Sequence, residues 1–185
     1  MPNSKKSSLR KVLLEKRDSI SDDLMKIASE QIHQNLKKIA QFRLAKRVGS
    51  YYPIGSEVLT QDIMQELLSE GKEILLPKVV ENNLEFRKIK DFSSLEKGNF
   101  DIMEPKDNCP ASENLDVVLV PTIGIDRNGL RLGYGYGFYD RFLSKNNVAT
   151  IALTYAKQII KSIPHLDNDV KIDWVVTEDE FFKTS

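Results

Sequence analysis

Apolar side chains recur at helical spacing near the start of the chain. Leu9, Val12 and Leu13 share one face of a helix expected from Ser7 or Ser8 to about Arg17, and Leu24, Ile27, Ala28, Ile32 and Leu36 carry the same period into a second helix. Ser21 is a residue of N-cap type for that second helix, and Asp22 and Asp23 put carboxylates in its first turn, where the helix dipole favours them. The pattern then shifts to short apolar runs. Residues 47–52, ended by Pro53, and residues 73–77 read as strands; residues 116–121 read as a strand buried on both faces, and 148–153 and 174–176 as two more. Between them, Thr60 stands as the N-cap of a helix running through Leu68 and closed by Gly71. Phe138, Tyr139, Phe142 and Leu143 return to helical spacing, and a short helical piece is expected over 156–162. Residues 84–89 alternate apolar and polar after Glu81-Asn82-Asn83, the pattern of a hairpin strand near a sheet edge. Strands alternating with helices predict an α/β fold, a three-layer sandwich with a mostly parallel central sheet and helices on both faces, in one domain over residues 1–185.

Charge and composition narrow the function classes. The 27 basic and 27 acidic residues cancel, so no global field draws the chain to nucleic acid or membrane, and any basic site must be local. Cys109 is the single cysteine, which excludes an internal disulfide and fits a reducing, cytoplasmic setting. As a nucleophile it would want a base beside it, and neither His33 nor His165 is placed along the chain to be one. No apolar run approaches the roughly 20 residues of a membrane span, and the basic N-terminus lacks a signal peptide's apolar core. No nucleic-acid or membrane partner is expected.

One stretch departs from what a core requires. Five of the nine glycines lie between Gly124 and Gly137, three of them alternating with tyrosine in Gly133-Tyr134-Gly135-Tyr136-Gly137. Glycine permits positive φ and a close approach of backbone to a ligand, at a cost in packing and chain entropy. The predicted order is strand, glycine loop, helix, the arrangement in which backbone amides and a helix N-terminus bind phosphate. It lacks the Gly-Lys-Ser/Thr of a Walker loop and the spacing of a dinucleotide fingerprint. An anion-binding loop and a tight structural turn both stand as readings.

Elsewhere the candidates are weaker. Lys6 and Arg10 lie four apart and so on one side of the first helix, within a basic group with Lys5, Lys11, Lys16 and Arg17 that reads either as a solvated face or as a phosphate contact. Tyr52 and Glu57 sit in the segment between the first strand and its helix, at the carboxyl end of a strand, where ligands bind in an open α/β sheet. Glu57 is either a solvated loop residue or an acceptor for an amino-bearing ring. Residues 91–114, irregular and polar, form a long loop or a lid. His33 has no second ligand at metal-binding spacing, His165 reads as a loop residue, and Trp174 as core or rim packing.

Several separated segments then converge. Lys6-x-x-x-Arg10, Tyr52-Pro53-x-x-x-Glu57, Gly71-Lys72 leading to Leu76-Pro77-Lys78, Glu104-Pro105, Val120-Pro121, Asp126-x-x-Gly129, the run from Arg131 to Arg141, and Asn168-Asp169-x-Lys171-x-Asp173 occur in an order that resembles the 5-formyltetrahydrofolate cyclo-ligase family over nearly the whole chain. The resemblance implies a three-layer α/β sandwich and the ATP-dependent conversion of 5-formyltetrahydrofolate to 5,10-methenyltetrahydrofolate, with Mg²⁺ required and ADP and phosphate released. It implies transfer of the γ-phosphoryl group to the formyl oxygen, giving an iminium phosphate that N10 then closes. By the same resemblance, Lys6, Arg10 and the residues Arg131, Leu132, Gly133, Tyr134, Gly135, Tyr136, Gly137, Phe138 and Tyr139 bind ATP, with Arg10, Arg131 and Tyr139 catalytic. Tyr52 and Glu57 take the folate; Asp140 and Asp169 hold the metal, with Asp167 and Asp173 as nearby alternatives to Asp169.

Two residues depart from the family pattern: Tyr136 stands where Gly or Lys is frequent, and Phe138 where Tyr is usual. Neither removes a glycine, so they are expected to tune affinity. Two rivals share the scaffold: a non-catalytic nucleotide- or folate-binding module, and another phosphoryl-transfer enzyme.

Overall fold

The computed structural model describes residues 2–98 and 102–185, with side chains from Lys5 onward. In chain order come α1 (Pro2–Asp18), α2 (Asp22–Leu36), α3 (Ala40–Leu44), β1 (Arg47–Gly49), α4 (Gln61–Ser69), β2 (Glu73–Val80) and β3 (Asn83–Ile89). There follow β4 (Leu95–Lys97), β5 (Met103–Pro105), β6 (Val117–Pro121), β7 (Gly124–Asp126), β8 (Arg131–Leu132), α5 (Phe138–Leu143), β9 (Ala149–Leu153), β10 (Ile159–Ile160), β11 (Trp174–Val176) and β12 (Phe181–Lys183).

The apolar run ending at Pro121 becomes the middle strand of the main sheet, whose order is β12-β11-β9-β6-β1-β2-β3. Its five inner strands are parallel and its two edges, β12 and β3, antiparallel. Because successive strand residues face opposite sides, Ile74, Leu76, Val117, Leu119, Ile151 and Leu153 pack against α2, α3 and α4 on one face. Leu75, Val118, Val120 and Ala152 face the other way, toward α5 and Ile125 of a small sheet, β10-β7-β8. A third apolar cluster, Leu13, Ile123, Leu132 and Ile163, fastens α1 to that small sheet.

Local signals explain the boundaries. Ser21 Oγ accepts a hydrogen bond from the Leu24 amide, capping α2. After α4, Gly71 takes φ +79° while its amide and that of Lys72 donate to Leu68 and Leu67, a Schellman end. Glu81 and Asn82 both take positive φ in the two-residue turn between β2 and β3.

Several expectations need correction. The first helix begins at Pro2 rather than at Ser7 or Ser8, and the first strand ends at Gly49. The short α3 and the edge strand β12 carried too few periodic residues to be read. The β7–β8 hairpin intervenes between β6 and the glycine loop, so the order is strand, hairpin, loop, helix. Residues 156–162 form one 3-10 turn and then β10. The stretch over 91–114 contains a 3-10 turn and the hairpin β4–β5, and its residues 99–101 lie outside the described residues. His33 is buried, its Nε2 2.7 Å from the Leu59 carbonyl, and the Cys109 thiol points at the Ser94 carbonyl.

Candidate functional site

The glycine loop lies open at the end of β8. Tyr134 and Tyr136 are exposed, and Gly135 and Gly137 take φ of +104° and +68°, conformations that side chains strain to adopt. Among the described residues, the amides of Gly133, Tyr134, Gly135 and Gly137 form no backbone hydrogen bond. The segment therefore presents donors rather than spending them on itself. The helix that follows has only six residues, so its dipole adds little and the loop amides are the principal donors.

Helix α1 lies across this loop. Lys6, Arg10, Leu13 and Arg17 fall on one face at the spacing of a 3.6-residue period, and Lys6, Leu13 and Arg17 are buried while Lys5, Lys11 and Lys16 stay exposed. Leu13 is the packing point: a Cβ placed on Gly124 would meet its Cδ1 at 2.5 Å, so the small sheet needs glycine there to let the helix approach. On either side of it, the cations reach the loop. Arg10 Nε donates to the Gly133 carbonyl at 2.8 Å, and Arg17 donates through Nη2 to the Tyr134 hydroxyl at 2.9 Å. The basic group of α1 thus divides by face, half solvated and half turned inward.

The acidic residues expected at the metal are each paired with a cation. Asp140 accepts from Arg131 at 2.9 Å and from the Val170 amide at 3.1 Å. Asp169 accepts from Lys6 at 2.5 Å and from the Leu166 amide at 2.7 Å. Val170 follows Asp169 directly, so the two carboxylates share one stretch of backbone. Asp173 is occupied elsewhere, accepting from the amide and hydroxyl of Thr150, and Asp167 is exposed. Among the described residues no three of His, Cys, Asp and Glu gather as a ready cation site.

Beyond the loop is a buried polar cluster. Glu57 is 3 % exposed, with one carboxylate oxygen accepting from the Ile54 amide at 3.0 Å and the other, Oε1, 3.8 Å from Arg17 Nη1. Burial raises its pKa above the ordinary glutamate value, opposed by the Ile54 amide, the Arg17 charge and the Tyr134 hydroxyl. Tyr139 lies beside it: its phenol is pushed well up by burial and by the Glu57 charge, against the pull of Arg131, whose guanidinium carbon lies 5.5 Å from the ring centre. Tyr139 is thus a hydroxyl donor at neutral pH and not a base. Among the described residues, Ser50 Oγ, Glu57 Oε1, Tyr139 Oη, Arg17 Nη1 and Arg131 Nε are buried without a hydrogen-bond partner. Buried polar atoms in native proteins are nearly always paired, so this concentration makes the cluster a candidate ligand site. Tyr52, the other folate candidate, is half-buried with its ring edge-on to Phe92 at 6.3 Å.

The structure therefore brings Lys6, Arg10, Arg131, Tyr139, Asp140 and Asp169 together around residues 133–137, and sets Glu57 beneath Tyr134. Tyr136 and Phe138, the two departures, stack on one another on the outside of the loop at 5.7 Å, and Arg141 donates to the Tyr136 and Asn82 carbonyls, strapping the loop to the β2–β3 turn. Two members of the cluster were not singled out in the sequence. Arg17 had a usable signal, lying two helical turns after Arg10; Ser50 had none.

Known proteins follow the same lines. A sequence profile described as the 5-formyltetrahydrofolate cyclo-ligase family matches residues 2–178. A 5-formyltetrahydrofolate cyclo-ligase of Mycolicibacterium smegmatis is 32% identical over 186 residues, covering 93% of both chains, and one from Mus musculus is 28% identical, covering 96% of this chain and 95% of its own. The solution structure of the Aquifex aeolicus 5,10-methenyltetrahydrofolate synthetase superposes with a TM-score of 0.86 at 35% identity, over 96% of this chain and 92% of that one. With its profile, its length and its fold in agreement, the chain belongs to the 5-formyltetrahydrofolate cyclo-ligase family.

Proposed function

We propose that this chain catalyses the ATP-dependent cyclisation of 5-formyltetrahydrofolate to 5,10-methenyltetrahydrofolate, releasing ADP and phosphate. The observation that carries the reading is α1 laid across a glycine loop with open amides, which sets Lys6 and Arg10 beside those amides at the edge of the buried Glu57 cluster.

The reaction needs a poor leaving group made good. The formyl oxygen attacks the γ-phosphorus and the bond from phosphorus to the β–γ bridging oxygen breaks, leaving ADP and an iminium phosphate. The N10 lone pair then attacks the formyl carbon, the carbon–oxygen bond breaks, phosphate departs, and N10 loses its proton. Catalysis of such a transfer is positioning and charge stabilisation, with no covalent protein nucleophile. Lys6, Arg10 and the amides of Gly133, Tyr134, Gly135 and Gly137 orient the triphosphate and spread its charge. Arg131, anchored by Asp140, stands next to them as a buried cation with a spare Nε. Tyr139 offers its hydroxyl as a donor, while Tyr52 and Glu57 hold the pterin, the first by its ring and the second through the free Oε1.

The donor set fits Mg²⁺ brought with the nucleotide. Asp140 and Asp169 are two carboxylates sharing one backbone stretch, and Mg²⁺ commonly takes one or two carboxylates and completes its shell with water and phosphate oxygens. When bound, the ion would neutralise charge developing on the phosphoryl oxygens. We read the protein as a single domain acting as a monomer in the cytoplasm on two small molecules, without nucleic acid or membrane. Supporting this, its charges balance and no helix among the described residues is long and apolar enough to cross a membrane.

The test incubates purified protein with 5-formyltetrahydrofolate, ATP and Mg²⁺ and follows the methenyl product by absorbance. Product above the no-ATP control is expected. None at all removes the assignment, and binding of both ligands without turnover favours a non-catalytic module.

A further inference from the structure

Arg17 joins two segments that bind different ligands in the proposed reaction. It is 2 % exposed, and its three nitrogens go to three places: Nε donates to Ser56 Oγ at 2.9 Å, Nη2 donates to Tyr134 Oη at 2.9 Å, and Nη1 stands 3.8 Å from Glu57 Oε1. Ser56 in turn donates its hydroxyl to Asp18 at the end of α1, so the Nε side of the fork is fixed. Tyr134 belongs to the open loop, whereas Ser56 and Glu57 belong to the segment leading from β1 to α4. The separation of 3.8 Å is within ion-pair range but beyond a hydrogen bond, and neither facing atom has a partner at ordinary hydrogen-bond geometry among the described residues, though the Tyr134 hydroxyl also bears on the Glu57 carboxylate. A donor and an acceptor of opposite charge are thus held just out of register.

We propose that Arg17 is a positioning residue that couples the two substrate sites, so that a nucleotide on the loop closes the Arg17–Glu57 gap and tightens the grip on the folate. The guanidinium is planar and rigid, and with Nε anchored it can only tilt. An anion drawing the loop inward moves the Tyr134 hydroxyl, and a shift of under about 1 Å brings Nη1 into hydrogen-bond range of Oε1. That bond fixes Glu57 with its remaining lone pairs facing the pterin. The Arg17 charge already opposes the rise that burial imposes on the Glu57 pKa, and closure strengthens that effect, keeping the carboxylate an acceptor. The coupling is reciprocal by thermodynamic necessity: folate tightens nucleotide by the same factor.

The inference rests on the cyclo-ligase reading, and its test separates the two. Calorimetric titration of 5-formyltetrahydrofolate into the full-length protein, with and without Mg²⁺ and adenylyl imidodiphosphate, should show roughly tenfold tighter binding with the nucleotide analogue present. In Tyr134→Phe, which removes the one oxygen through which Arg17 reaches the loop, that ratio should fall to about one whatever happens to the separate affinities. Tyr134 is exposed, so this variant stays testable where Arg17→Ala fails to fold; Arg17→Lys, with charge but no fork, should lose the ratio too. A ratio that persists in Tyr134→Phe overturns the coupling, as does a wild type that binds both ligands independently. A purely structural Arg17 would lower both affinities and the melting temperature in Arg17→Lys and leave the ratio intact, which also overturns it. Protein that binds neither ligand sinks the cyclo-ligase reading itself.

Discussion

At the N-terminal ends of β1 and β6, Asp116 gathers the neighbouring donors onto one carboxylate. Asp116 accepts from the amides of Lys46 and Arg47 at 2.8 and 2.9 Å and from the Arg47 guanidinium at 2.9 Å, which hold its pKa below the ordinary value, the Arg47 side chain most of all. At the other end of the same strands, Ser50, Glu57, Tyr139, Arg17 and Arg131 each keep a buried atom without a partner. The two ends are built from the same residue chemistry, so the difference is one of completion. The saturated end holds strands in register; the unsaturated end is where, on the proposed function, a ligand would complete the bonding.

The sharpest way to break this comparison is at the loop. Gly135→Val puts a branched side chain at φ +104°, with its Cβ 3.2 Å from Arg10 Nη2, and should cut kcat/KM at least about 100-fold. The loop is exposed, so the melting temperature should move by a few degrees at most. A variant that melts early without any change in catalysis per folded molecule would return the segment to a structural turn. Arg10→Ala comes next, removing the contact to Gly133 and a phosphate partner; steady-state kinetics should show KM for ATP rising roughly tenfold with the folate KM little changed. Equal effects on both would mean that α1 serves the whole cluster.

At the saturated end the expectation reverses. Asp116→Ala strands two amides and a guanidinium, and denaturant unfolding should show a loss of about 1–3 kcal/mol with kcat unchanged. A fall in kcat would show that the two ends are linked. The smallest effect lies at His33, whose pKa is lowered by burial, offset in part by its bond to Leu59. A folded value below the unfolded one means that the unfolded chain takes up the proton first. Stability is therefore full above the unfolded value of about 6.5 and falls as pH drops below it, at up to about 1.4 kcal/mol per pH unit. In His33→Gln the melting temperature should lose that part of its slope between the two values; an unaltered slope would assign it to other groups.

How much of this was legible depended on whether the signal was local. The buried run Val117–Pro121, the Ser21 cap and the Gly71 terminus announce themselves within a few residues, because each reflects one strand or one helix end. The loop was legible for the same reason: Gly133, Gly135 and Gly137 are wasteful anywhere but at a ligand or a tight turn. The β7–β8 hairpin carried a signal that went unused, the Asn128-Gly129 pair, with Gly129 at φ +85°. What could not be read was which face of α1 turns inward. Leu9, Val12 and Leu13 are all apolar, yet Val12 is 48 % exposed and Leu13 is buried, since the choice is made by Gly124 more than a hundred residues away. Arg17 carried a local signal, two turns after Arg10 on α1, but its partners Ser56 and Tyr134 are supplied by distant segments.

The bond from Lys6 to Asp169 joins positions 163 apart. The cationic face of α1 and the carboxylate that pairs with it are therefore made at different times, and the pair can close only once position 169 has been synthesised. Contacts of such separation form late and slowly. Until then Lys6 lacks the carboxylate that holds it, however well the early helices and strands have formed.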